Sequence, residues 1–187
     1  LNKYDNKLCL NKIKIIHLSD NINEYEAITL NYIRNYCNSN DNTKILYLHT
    51  KGLYTLKYDC INDWINMMIY FNIICFDVCL KELEKVDCVG VNWLDNHYSG
   101  NFWWANSNYI AKRNLIISTN KDINHKMKAE YFLCDKAYII NDSNNKKYYK
   151  TENGINIVSL HQSNINHFES LYPQKLYINT YTRIKIL

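Results

Sequence analysis

Apolar residues recur along this chain with two spacings, and the changes between them mark the elements. "NKIKIIHLS" (11–19) alternates in part and is β-branched, which predicts a strand. Ser19-Asp20-Asn21 then offers a helix cap, with Glu24 and Glu26 in the first turns of a helix carrying Tyr25, Ile28, Tyr32, Ile33 and Tyr36 at helical spacing. After the loop "NSNDN", "KILYLHT" (44–50) is a nearly continuous apolar run of the kind buried on both faces of a sheet. From Asp59 to Glu84 a long helical pattern places Trp64, Met67, Met68, Phe71, Ile74, Cys75 and Val78 on one stripe. "DCVGVNW" (87–93) reads as a third strand, "NSNYIAKRNL" as a short helix, "HKMKAEYFLCD" (125–135) as another helix, and "NIVSL" (156–160) as a last strand. The tail, with the chain's only proline at Pro173, has no regular period, and the Asn-rich stretches "SNDN" and "NDSNN" read as loops.

Strands alternating with helices predict an α/β domain with a largely parallel sheet, its ligands bound beyond the carboxyl ends of the strands. At 187 residues, 47% of them apolar, the chain is the size of one domain, 1–187, and its composition excludes a disordered protein. The most apolar run, "WINMMIYFNIICFDVCL", carries Asn66, Asn72 and Asp77 and is too broken to be a membrane span. The seven cysteines contain no Cys-x-x-Cys pair and no zinc spacing, so a reducing, cytoplasmic setting is expected. The net charge of +4 comes from scattered lysines; without a basic stripe, nucleic acid is not an expected partner.

Two stretches concentrate chemistry. "HTKG", His49-Thr50-Lys51-Gly52, leaves the second predicted strand with a glycine for close backbone approach and a lysine suited to phosphate. An ordinary turn with a solvated lysine explains the same four residues, and the glycine spacing of a P-loop is absent. "HYSGNFWWANSNYI" (97–110) flanks Gly100 with Ser99 and Asn101 and continues into Trp103 and Trp104. If it is extended, Phe102 and Trp104 share one face as core and Trp103 lies on the other, free to stack on a sugar or base. Asp95 and His97 precede that turn, Glu130 lies on a predicted helix, and "LHQSNINHF" holds His161 and His167. No Asp-x-Asp occurs anywhere in the chain.

In their order and wording, "ILYLHTKG", "DWINMMIYF", "VDCVGVNW", "HYSGNFWWANSNYI", "AEYFL" and "SLHQSNINHFESLYP" resemble a family of small glycosyltransferase-like proteins of bacteria and large DNA viruses. The family is more distantly similar to rhamnan-synthesis-type transferases; the resemblance spans about residues 11–175, and "SGNFWWA" is its most specific part. It implies a GT-A-like, Rossmann-type parallel sheet that starts one strand–helix unit late, and transfer of a sugar from a nucleotide-sugar donor to a glycan or other acceptor hydroxyl. It also implies donor contacts from His49, Thr50, Lys51, Gly52, Ser99, Gly100, Asn101, Trp103 and Trp104. Glu130 or Asp95 would serve as base. A divalent metal, Mn²⁺ or Mg²⁺, with His167 near it, would neutralise the leaving diphosphate, or Lys51 and His167 would do so as fixed positive groups. The late start and the missing Asp-x-Asp leave an alternative, a carbohydrate- or nucleotide-sugar-binding module without turnover. A metal-dependent hydrolase built on His49, His97, His161 and His167 has no dense histidine-carboxylate motif behind it.

Overall fold

The computed structural model describes residues 13–18, 20–21, 26–50, 58–117, 125–133, 136–143 and 146–178. Helix α1 spans Ala27–Asn38 and leads to strand β1, Lys44–Tyr47. Next come α2, Asp59–Ile69, a π-helical turn, Tyr70–Ile74, and α3, Phe76–Glu82. The middle of the chain is β2, Cys88–Gly90, the hairpin β3, Trp93–Leu94, and β4, His97–Tyr98, then β5, Trp103–Asn106, and α4, Ser107–Ile110. The last elements are α5, His125–Glu130, β6, Ala137–Ser143, β7, Lys146–Thr151, β8, Asn156–Ser159, and a single 3₁₀ turn, Gln174–Leu176.

Six strands form one sheet in the order β1-β5-β2-β8-β7-β6. Only β2 and β8 pair in parallel; the other four pairings are antiparallel. The sheet is therefore mixed and mostly antiparallel, and the expectation of a GT-A-like, Rossmann-type parallel sheet is corrected. Two of these pairings follow from short connections, β6 to β7 and β7 to β8, because neighbouring strands joined by a few residues must run antiparallel. "WWAN", read from the sequence as part of a ligand loop, is β5, and it inserts between β1 and β2 with Trp103 opposite both Tyr47 and Gly90. "AYIINDS" and "KKYYKT" form a hairpin that the loop-like Asn-rich text concealed.

Side chains alternate across this sheet onto two cores. One face carries Tyr47, Cys88, Trp103, Ala105, Tyr149 and Ile157, covered by α1, α4 and the Ala129–Leu133 region. The other carries Val89, Phe102, Val158 and Leu160, with Trp104 packed at its side, covered by α2, the π-helical turn and α3. Phe102 and Trp104 thus share a face opposite to Trp103, as alternation in an extended strand requires.

The predicted 59–84 helix is broken. Trp104 donates its indole N–H to the Asn72 carbonyl at 2.8 Å, while Asn72 turns its amide back to the Met68 carbonyl at 2.9 Å. A side chain that takes a ladder carbonyl diverts the hydrogen bonds, and Cys75 N–H now reaches Tyr70, five residues back, at 2.9 Å. The two halves meet at 64°. Ile74, on the stripe of an uninterrupted helix, is left 60% exposed. Among the described residues no single helix is long and apolar enough to cross a membrane.

Two further expectations change. Residues 13–18, expected in a strand, join no sheet and are exposed, with Leu18 at 83%. β1 is an edge strand with only Tyr47 fully buried, not a strand covered on both faces.

Candidate functional site

The end of β1, the start of β5 and the start of α1 meet around one carboxylate. Glu26 stands at the N-cap of α1 but makes no side-chain cap. Its carboxylate turns to the sheet instead, accepting the Tyr47 hydroxyl at 3.0 Å and the Asn101 amide at 2.5 Å on Oε2, and lying 3.3 Å from His49 Nδ1 through Oε1. His49 uses its other ring nitrogen on the Gly100 carbonyl oxygen, 3.0 Å from Nε2. Asn101, held at a φ of 56°, accepts the Trp103 indole N–H at 2.9 Å. Asparagine tolerates this left-handed backbone because its short side chain bonds locally. Gly100 has a φ of 90°, and a Cβ there would collide with Met68 Sδ. Glycine is needed here on both counts.

Glu130, at the end of α5, reaches the cluster through the effect of its charge on Tyr47. It is half-buried, and its Oε2 is shut from solvent without a hydrogen-bond partner. Burial first, then the charge of Glu26 and its hydrogen bond, then the charge of Glu130, hold the Tyr47 hydroxyl firmly protonated, far above its ordinary range. It therefore acts as a donor to Glu26. An unmet carboxylate oxygen in such a place costs on the order of 1–3 kcal/mol unless a donor reaches it.

The sequence-predicted residues divide into groups. His49, Gly100, Asn101 and Trp103 are brought together by direct contacts, and the charge of Glu130 reaches the same Tyr47. Trp103 is fully buried against Tyr47, ring centroids 5.0 Å apart, so it offers no open face for stacking. Trp104 points to the other side of the sheet. Ser99 bonds through its backbone to the Asn92 carbonyl, and Thr50 is exposed beyond β1. Lys51 and Gly52 lie outside the described residues. Asp95 sits exposed at the tip of the β3–β4 hairpin, where it and Asn96 have φ of 46° and 68°. Positive φ at both loop residues is the two-residue turn that a right-twisted hairpin favours. Among the described residues no hydrogen bond or ion pair joins the Asp95 carboxylate to the cluster.

His167 belongs to a different place. It is buried on the α2 face, its ring stacked on Trp64 with centroids 5.5 Å apart, and its Nε2 bonded to Asn92 at 2.9 Å and Ser163 at 2.6 Å. His161 stacks on Phe71 and bonds the Tyr172 hydroxyl through Nε2 at 2.8 Å. The Nδ1 atoms of both are buried without a partner. Burial pulls both imidazoles down to about 4, with the neighbouring His167 adding to the effect at His161. His167 is thus a buried, neutral ring held by Trp64, Asn92 and Ser163, apart from the contacts of the Glu26 cluster.

A divalent metal does not fit these side chains either. The Glu26 oxygens and both His49 nitrogens are already engaged, and no group of three or more His, Cys, Asp or Glu among the described residues is placed to hold an ion. His97 stands apart from both places, edge-on to Tyr131.

Sequence reasoning missed Glu26 and Tyr47. Glu26 was visible only as an acidic residue in a helix's first turn, and Tyr47 only as one apolar position in a strand. What signals them is the failure of Glu26 to cap, which only coordinates reveal.

No curated protein matches the chain, and no solved structure does. One family does match, over residues 1–153, a span that holds Glu26, Tyr47, His49, Asn101 and Glu130 and ends before His161 and His167. It is described as a domain of unknown function (DUF8361), and this chain belongs to it.

Proposed function

We propose that the chain moves a sugar from a nucleotide-sugar donor to an acceptor hydroxyl, with Glu130 as general base. The observation that carries this reading is the unpartnered, buried Glu130 Oε2 beside the Glu26–Tyr47–His49–Asn101 network. Three of the six blocks that resemble the glycosyltransferase-like family, those of His49, Asn101 and Glu130, act on the Glu26–Tyr47 pair, and the reading rests on those residues, not on the fold.

The chemistry is a displacement. The acceptor hydroxyl donates to the Glu130 carboxylate, its oxygen attacks the anomeric carbon, and the bond to the diphosphate breaks as Glu130 takes the proton. Tyr47, locked as a donor to Glu26, keeps that second carboxylate from competing for the same proton.

Glu130→Gln is expected to lower turnover about 100-fold or more while donor affinity is kept. Turnover is read as nucleotide released from a panel of nucleotide sugars, with and without manganese. Full turnover in Glu130→Gln refutes the base.

A second reading, a binding module without turnover, draws on one observation. The cavity of about 380 Å³ lined by Asp87, Asn108, Lys112, Arg113 and Gly154 opens at the other end of the strands, beside the starts of β2 and β8. Donor binding with no nucleotide release in the wild-type chain selects the module.

A further inference from the structure

The cavity of about 380 Å³ on which the second reading draws is lined by charges of both signs that do not meet. Asp87, just before β2, is half-buried and accepts the Asn156 backbone N–H on Oδ2 at 2.9 Å. Among the described residues no hydrogen bond or ion pair takes its Oδ1. Lys112, just after α4, is exposed, and among the described residues nothing pairs its ammonium. Arg113 beside it donates its Nε–H to the Phe132 carbonyl at 2.8 Å and lays its guanidinium over the Tyr109 ring, 5.7 Å from the centroid. A carboxylate and an ammonium that line one cavity of ligand size, yet stay apart, leave an acceptor and a cation for a molecule placed between them.

The rest of the lining sets the chemistry of that molecule. Two cations against one carboxylate favour an anion, and an ammonium beside a guanidinium is the pairing that suits phosphate. Asp87 repels a bare anion, so the ligand must also carry hydrogen-bond donors. Hydroxyl groups supply them, and the exposed Asn153 side chain can both donate to and accept from hydroxyls. A nucleobase finds no stacking partner here. Tyr109, the aromatic residue of the lining, is only 5% exposed, and Arg113 covers its ring. Half-buried Ile155 offers a small apolar patch to the C–H face of a sugar ring.

We propose that this cavity binds a sugar phosphate, its phosphate on Lys112 and Arg113 and its hydroxyls on Asp87 Oδ1 and Asn153. The proposal deepens the second reading by naming a ligand for its cavity, and it is independent of turnover at Glu130.

Isothermal titration of the full chain with glucose 6-phosphate tests it, with glucose, inorganic phosphate and adenosine monophosphate as the other arms. Glucose 6-phosphate is expected to bind with a Kd of about 1 mM or tighter, and at least about 10-fold more tightly than the other three. Lys112→Ala weakens it about 10-fold, the scale of one hydrogen bond to an ionised group. Asp87→Asn keeps an oxygen for the Asn156 N–H; it weakens glucose 6-phosphate by a similar factor and does not weaken inorganic phosphate. Circular dichroism confirms that both variants fold. No saturation by glucose 6-phosphate, equal affinity for inorganic phosphate or adenosine monophosphate, or binding indifferent to both variants overturns the proposal. Nucleotide-sugar binding that persists while glucose 6-phosphate fails to bind overturns this assignment alone and leaves the second reading standing.

Discussion

Two imidazole clusters lie on opposite faces of one sheet, and they have become different chemical objects. Around His49 the partners are a carboxylate and a carbonyl, and the ring keeps 17% of its surface in water. Around His161 and His167 the partners are a phenol, an amide and a hydroxyl, aromatic rings cover the faces, and almost no surface is left open. The first cluster holds charge, and the second excludes it. A histidine's role is set by what faces its two nitrogens and by whether water can solvate the protonated ring.

Acid separates the two most sharply. His161 and His167 titrate near 4 in the folded chain, against about 6.5 for an unfolded histidine. Their folded pKa is depressed, so their contribution is whole above 6.5. Below it the unfolded chain binds protons that the folded chain refuses, and stability is lost as pH falls from 6.5 toward 4. The loss is on the order of 2–3 kcal/mol for each ring. Urea titrations at stepped pH are expected to show this decline. His161→Phe, which keeps a flat ring on Phe71, is expected to remove about half of it. A wild-type midpoint unchanged from neutral pH down to 4.5 would contradict the sealed, neutral pair.

Gly100 is the joint between the clusters. Its carbonyl holds His49, and a Cβ at this position would meet Met68 and Trp64, the ring on which His167 stacks. Gly100→Ala combines a left-handed backbone with an overpacked contact, and a cost of about 2–4 kcal/mol is expected in chemical denaturation. Loss confined to the His49 side, seen as amide shifts near Asn101 with Trp64 fluorescence unchanged, would show that the two clusters are not joined here.

The legibility of these features follows from how local their causes are. The stripe of Trp64, Met67, Met68 and Phe71, running from α2 into the π-helical turn, is buried as its period predicts, because a helical face is decided within a few turns. The break after it depends on Trp104, 32 residues away, taking the Asn72 carbonyl. No window around Asn72 contains that information. The parallel sheet was inferred from alternation of strands and helices, and it failed at "WWAN", a strand read as part of a ligand loop. The "HTKG" and "SGNFWW" stretches did mark segments whose His49 and Gly100 touch. The carboxylate organising them, Glu26, carried no signal of its own.

A smaller effect is expected from Glu26→Gln. The amide keeps one acceptor for Tyr47 or Asn101 and loses the charge, which puts the cost at about 1.5–2 kcal/mol, the scale of one hydrogen bond to an ionised group. Thermal unfolding at neutral pH reads it. A neutral result would mean that the three contacts at Glu26 are replaced by water at no cost, and that the His49 side is loosely held.

The smallest expected effect decides between two carboxylates. Asp95 has a φ of 46° at the tip of a two-residue hairpin loop, a conformation in which glycine is free of Cβ strain. Asp95→Gly is therefore expected to leave stability within about 0.5 kcal/mol of the wild type, with relief of strain offset by the greater freedom of the unfolded chain. Because its carboxylate makes no contact with the Glu26–His49 network among the described residues, nucleotide release should stay within about twofold, against the 100-fold loss expected of Glu130→Gln. If instead Asp95→Gly abolished release and Glu130→Gln did not, the base would belong to the hairpin. The buried oxygen of Glu130 would then be an ordinary cost of packing α5 against β1.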